Sequence, residues 1–139
     1  MKDKKRILII DDNKALARIV QGVLARQGYE ADTALSGKEG LKKAGESAYD
    51  LILLDIVMPG MDGYTVCRQL KSSQATKEIP IVFLTARGNT DETKGATAEG
   101  LREIEMAYAC GATDFLNKPI AASELIKTVN NVFWLSRIP

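Results

Sequence analysis

The chain has 139 residues, 45% apolar and 27% charged, a composition that suits one globular domain and excludes an intrinsically disordered chain. Lys plus Arg number 19 and Asp plus Glu 18, so the net charge of +1 leaves no electrostatic footprint for nucleic acid or an anionic membrane. There is no histidine, which excludes Ser-His-Asp and Cys-His catalysis, His-ligated zinc or haem, and a phosphohistidine on this chain.

In chain order, the basic start Met1 to Arg6 leads into Ile7-Leu8-Ile9-Ile10, too short for a signal-peptide core and read as a first strand. Leu16, Val20, Val23 and Leu24 form the stripe of a first helix, which Gly28 closes. Tyr29 to Ala34 mixes polar and apolar residues, as an edge strand does, and Leu41, Ala44 and Ala48 mark a second helix. Leu51 to Leu54 is again continuously apolar, the pattern of a strand buried on both faces. The turn Pro59-Gly60-Met61-Asp62-Gly63 precedes a helix carrying Val66 and Leu70. Ile81 to Leu84 is a third fully buried strand, followed by a helix whose stripe is expected at Leu101, Ile104 and Tyr108. Thr113 to Asn117 makes the last strand, and Leu125, Val129, Val132 and Phe133 the last helix. Strand then helix, five times, argues a parallel sheet with helices on both faces, and three central plus two edge strands suit the doubly wound order 2-1-3-4-5. No apolar stretch approaches the ~20 residues of a membrane span. Cys67 and Cys110 are read as small buried hydrophobes, and free cysteines fit a cytoplasmic protein.

Polar residues of one kind follow the strands. Asp11 and Asp12 end strand 1, Asp55 strand 3, Thr85 strand 4 and Lys118 strand 5. Ligands of open parallel sheets bind outside the carboxyl ends of the strands, so these five side chains converge. Three close carboxylates call for a hard cation with oxygen ligands. Mg²⁺ is the natural choice, and Mn²⁺ shares the preference. Lys118 offers a compact positive charge and Thr85 a hydroxyl, both suited to phosphoryl oxygens. A carboxylate can itself be the nucleophile and form an acyl phosphate, and Asp55, on the central strand, is best placed. Singly, each residue has an ordinary structural explanation as a turn former, a strand-end hydroxyl or a solvated lysine. The joint pattern carries the weight.

The segments ILIIDDN (7–13), LILLDIVMPGMDG (51–63), IPIVFLTA (79–86) and GATDFLNKP (111–119) resemble the receiver domain of bacterial two-component response regulators over nearly the whole chain. The resemblance implies a flavodoxin-like α/β fold with five helices, Mg²⁺ dependence, and phosphorylation of an aspartate by a histidine kinase or histidine phosphotransfer protein. It implies Asp11 and Asp12 as the acidic metal pair and Asp55 as the phosphoacceptor and third metal carboxylate. Val57 would lend the metal its backbone carbonyl. Thr85 matches the switch hydroxyl, Lys118 the phosphate-contacting lysine and Phe115 the switch aromatic, where Tyr is common. Val57 and Arg87 match the two positions beside the phosphoryl group that vary most, and are expected to modulate its lifetime. A cis bond between Lys118 and Pro119 is also implied.

A signalling module rather than an enzyme is therefore expected, with residues 1–139 as one receiver that switches the face formed by helix 4, strand 5 and helix 5. The alternatives are a Mg²⁺-dependent phosphatase working through an aspartyl phosphate, and a receiver-like module that takes no phosphate. No output domain is legible after Pro119, so an output domain or dimer partner would meet the switching face, and Trp134 and Leu135 fall off the apolar stripe of the last helix. Thr85 and Gly111 are about ten positions further apart than receivers usually need, and long extra loops are uncommon without a purpose. Gly88, Gly95 and Gly100 weaken a helix there. A polar loop over 88–97, with helix 4 starting near Ala98, is expected; a longer helix capped at Asn89 or Thr90 is the rival.

Overall fold

Continuous apolar runs make the centre of the molecule. The computed structural model describes residues 4–86 and 98–135. Its elements are β1 (Arg6–Ile10), α1 (Lys14–Arg26), β2 (Glu30–Ala34), α2 (Gly37–Glu46), β3 (Leu51–Asp55), α3 (Gly63–Ser72), β4 (Ile81–Thr85), α4 (Ala98–Ala109), β5 (Asp114–Asn117) and α5 (Ala122–Leu135). The strands form one parallel sheet in the order β2-β1-β3-β4-β5, as expected. Residues 87–97 lie outside the described residues, and with them Arg87 and both readings of the extra segment.

Alternation along each strand sends successive side chains to opposite faces, so the sheet divides two cores. Leu8, Ile10, Ile52, Leu54, Ile81 and Phe83 meet Val66, Cys67 and Leu70 of α3, with Ala44 of α2 and Ala107 of α4. Ile7, Ile9, Leu51, Leu53, Val82 and Leu84 meet Ala17, Val20 and Leu24 of α1 and Leu125, Val129, Val132 and Phe133 of α5. Both faces being covered explains why the central strands carry no polar alternation.

Capping residues set where the helices begin, just past the strand ends. Asn13, Ser36 and Asp62 cap α1, α2 and α3, each side chain accepting from a backbone N–H three residues on. Such a cap contributes about 1 kcal/mol. Gly28 follows α1 with φ +89°, a left-handed conformation that favours glycine. Trp134 and Leu135 are exposed, as their position off the α5 stripe predicts.

Helix α4 departs from expectation. Leu101 and Tyr108 are 49% and 46% exposed, and the buried positions are Glu103 and Ala107, with Ile104 half-buried. The expected stripe followed the largest apolar side chains. The helix instead turns a small residue and a hydrogen-bonded carboxylate inward: Ala107 packs into the core, and Glu103 accepts from the Thr85 hydroxyl.

Candidate functional site

The pairing of β1 continues one residue past the strand: the Asp11 N–H donates to Ala34 O at 3.0 Å, which pins Asp11. Asp11 is fully buried, and its Oδ1 accepts from the Asn13 N–H at 2.9 Å. Asp12, beside it, is exposed. Asp55 is the last residue of β3, paired with Leu84, and is buried. The chain leaves it sharply: Ile56 donates to Leu84 O at 3.2 Å, and the Gly63 N–H returns to Ile56 O at 2.8 Å. Gly63 lies so close that an added Cβ would stand 2.3 Å from Asp55 O, so only glycine fits.

Lys118 enters from the end of β5. Its N–H donates to Thr85 O at 2.7 Å, and its peptide bond to Pro119 is cis. The Lys118 Nζ reaches Asp11 Oδ2 at 3.0 Å and Asp55 Oδ1 at 3.2 Å. One carboxylate oxygen from each of Asp11, Asp12 and Asp55 lies within 4.8 Å of the others. The Asp11 Oδ2 contact with Lys118 is a meeting of charges rather than an aligned hydrogen bond. It leaves that buried oxygen without a hydrogen-bond donor among the described residues. Three acids gathered this closely, one with a buried oxygen that lacks a hydrogen-bond donor among the described residues, fit a hard divalent cation of the Mg²⁺ type.

Electrostatics follow from this crowding. Burial, then the charge of Asp11, pushes the Asp55 carboxyl up from an ordinary 3.8 to about 7, although Lys118 pulls it down. Burial works against the Lys118 ammonium, but the Asp11 and Asp55 carboxylates outweigh it and raise its pKa. The same charges that disfavour ionised Asp55 would be offset by a divalent cation.

Thr85 ends β4, where its hydroxyl donates to Glu103 Oε1 on α4 at 3.0 Å. Val57 is 63% exposed at the rim. With Met58, Tyr64, Arg102 and Met106 it lines an open groove of about 440 Å³ between the β3–α3 connection and α4.

The sequence matches the family described as the response regulator receiver domain over residues 7–130. The chain belongs to that family. The receiver is 43% identical over 115 residues to the response regulator PleD of Caulobacter vibrioides, covering 83% of this chain and 23% of PleD. It is 35% identical over 127 residues to the transcriptional regulatory protein ResD of Bacillus subtilis, covering 91% of this chain and 47% of ResD. The chain thus spans less than half the length of these two curated relatives. Among solved structures, chemotaxis protein CheY4 of Vibrio cholerae superposes with a TM-score of 0.81 at 30% identity, covering 94% of this receiver and 99% of that chain.

Within the receiver, the sheet brings Asp11, Asp12, Asp55 and Lys118 together at one rim. Thr85 and Phe115 belong to the neighbouring strands β4 and β5, and Phe115 pairs with Phe83 in register. Phe115 is half-buried and meets Tyr108 edge-on, ring centroids 6.1 Å apart. The sequence reading missed Glu103. Its hydrogen bond joins α4 to a strand end 18 residues earlier, and a glutamate on a helix carries no local sign that it will turn inward.

Proposed function

We propose that this receiver takes a phosphoryl group onto Asp55 from a histidine kinase or histidine phosphotransfer protein and relays the change to its α4-β5-α5 face. The supporting observation is the buried Asp55 carboxylate at the sheet rim, 3.2 Å from the Lys118 ammonium and inside a cluster of three acids. A carboxylate oxygen of Asp55 attacks the phosphorus of the donor's phosphohistidine. The P–N bond breaks, the imidazole leaves with the electron pair, and an acyl phosphate forms. Lys118 holds a positive charge where the phosphoryl oxygens arrive, and Thr85 supplies a hydroxyl donor. Asp11, Asp12, Asp55 and the Val57 carbonyl would hold Mg²⁺, or Mn²⁺ in its place, which supplies charge neutralisation for the phosphoryl oxygens.

In this scheme Val57 and Arg87 govern how long the phosphoryl group lasts, since neither offers a carboxamide or carboxylate to align water. Phe115 turns inward as Thr85 moves toward the phosphoryl group, and the altered α4-β5-α5 face meets an output domain or a second copy. Residues 1–139 act as one receiver with no direct contact to nucleic acid or membrane, and free Cys67 and Cys110 suit the cytoplasm. The phosphatase alternative finds no support: Val57, two residues after Asp55, has no acid or base to offer an external substrate.

Acetyl phosphate with Mg²⁺ tests the proposal. Intact-mass analysis should show one added phosphoryl group on the wild type and none on Asp55→Asn, whose amide is a far poorer nucleophile. Undiminished labelling of the Asn variant overturns the assignment.

A further inference from the structure

Helix α4 is held to the sheet in an unusual way. Among its described side chains only Ala107 and Glu103 are buried, so little apolar area anchors it. At residue 103 it is gripped from two elements. The Thr85 hydroxyl on β4 donates to Glu103 Oε1 at 3.0 Å, and the Tyr64 hydroxyl on α3 donates to the Glu103 backbone O at 3.1 Å. Tyr64 is itself fixed against Phe83, ring centroids 5.6 Å apart. Glu103 is only 9% exposed, so its carboxylate depends on donors supplied by the protein.

Taking Asp55 as the phosphoacceptor, we infer that Glu103 is a positioning residue: it holds the Thr85 hydroxyl in the resting state and couples Thr85 directly to α4. A threonine hydroxyl has one proton, and a carboxylate can only accept. While that proton is committed to Glu103 it is not available to a phosphoryl oxygen on Asp55. The two acceptors therefore compete for one donor. When the phosphoryl oxygen wins, Glu103 gives up its donor on β4. The tie between α4 and the strand end is then cut, and that turn of α4 is held less firmly. This route to α4 runs beside the one through Phe115 and does not need an aromatic rotation.

The test measures binding of beryllofluoride, with Mg²⁺, to wild type, Glu103→Gln and Glu103→Ala, each with Thr85 present or replaced by Ala. Glu103→Gln keeps size and shape but loses the charge that strengthens the hydrogen bond. Beryllofluoride should bind it about tenfold more tightly, and Glu103→Ala at least as tightly. Relief of general charge repulsion would give the same gain with or without Thr85. The inference requires the gain to vanish in the Thr85→Ala background. Amide hydrogen exchange over 103–107 in the unliganded protein should rise in Glu103→Gln and in Thr85→Ala alike. Unchanged exchange in both, or a beryllofluoride gain that persists without Thr85, overturns the inference. A wild type that takes no phosphate from acetyl phosphate overturns the proposed function instead, and the exchange measurement still decides the Glu103 contact.

Discussion

Asp55→Asn should make the metal-free protein more stable at pH 8 and leave it unchanged near pH 4. Folding raises the Asp55 carboxyl from 3.8 to about 7. Between those values the folded chain keeps a proton that the unfolded chain has lost, so wild-type stability falls as pH rises through the interval. The Asn side chain resembles the protonated acid and carries no such loss. At about 1.4 kcal/mol per pH unit, the rise sets a ceiling near 4 kcal/mol, a figure that already nets the attraction of Lys118 against burial and Asp11. Water at the open rim and sharing of protons between neighbouring acids return part of this, so a gain of about 2 kcal/mol is expected. Urea unfolding in EDTA at pH 4 and pH 8 measures it. Mg²⁺ should then stabilise the wild type and not the variant, closing the gap, because a ligand of the folded state alone adds to its stability. A difference between the two proteins that is the same at both pH values would refute the electrostatic account of the site.

Asp12→Ala should weaken Mg²⁺ affinity by about tenfold or more, since losing even an outer partner of a metal site commonly costs that much, with the far-UV spectrum unchanged; calorimetric titration reads it. Gly63→Ala should cost more than about 2 kcal/mol, because the new Cβ meets Asp55 O at 2.3 Å and backbone must move. Gly40→Ala should cost less, because the atoms it meets, Ile10 Cδ1 at 2.4 Å and Cγ1 at 2.8 Å, belong to a side chain and not to backbone. Equal thermal shifts for the two would contradict this. Tyr49→Phe should cost about 1–2 kcal/mol through the hydroxyl's 2.7 Å bond to Asp32. Burial first, then Asp32, pushes the Tyr49 hydroxyl up to about 12, so wild type should lose stability between pH 10 and 12 and the Phe variant should lack that contribution.

The central strands were legible because residues buried on both faces have nowhere to put polar side chains, and that leaves unbroken runs such as Ile7 to Ile10. Edge strands β2 and β5 were legible from their place in the alternation. Pairing extends into Asp55 and Thr85, residues whose chemistry speaks of a loop, so the runs stop one residue before the strands do. The acids and Lys118 were readable for the same topological reason: each lies at or just past the end of a strand, and parallel strands deliver their ends to one rim. Helix α4 was misread because apolar size was taken for inwardness. Glu103 turns inward to accept from Thr85, and no spacing within the helix foretells a partner on β4.

The division of the core by the sheet has a consequence for how this receiver can be tuned. By alternation Asp55 shares its face with Leu51 and Leu53, above α1 and α5, whereas Thr85 shares its face with Ile81 and Phe83, above α3 and α4. The acid cluster and the hydroxyl it answers to thus rest on separate foundations. Repacking at Val129 or Leu24 bears on the chemistry at Asp55, while repacking at Val66 or Ala107 bears on how readily Thr85 and α4 give way. On the proposed function, sensitivity to phosphoryl donors and strength of response are separately adjustable, each through ordinary volume changes far from any polar residue.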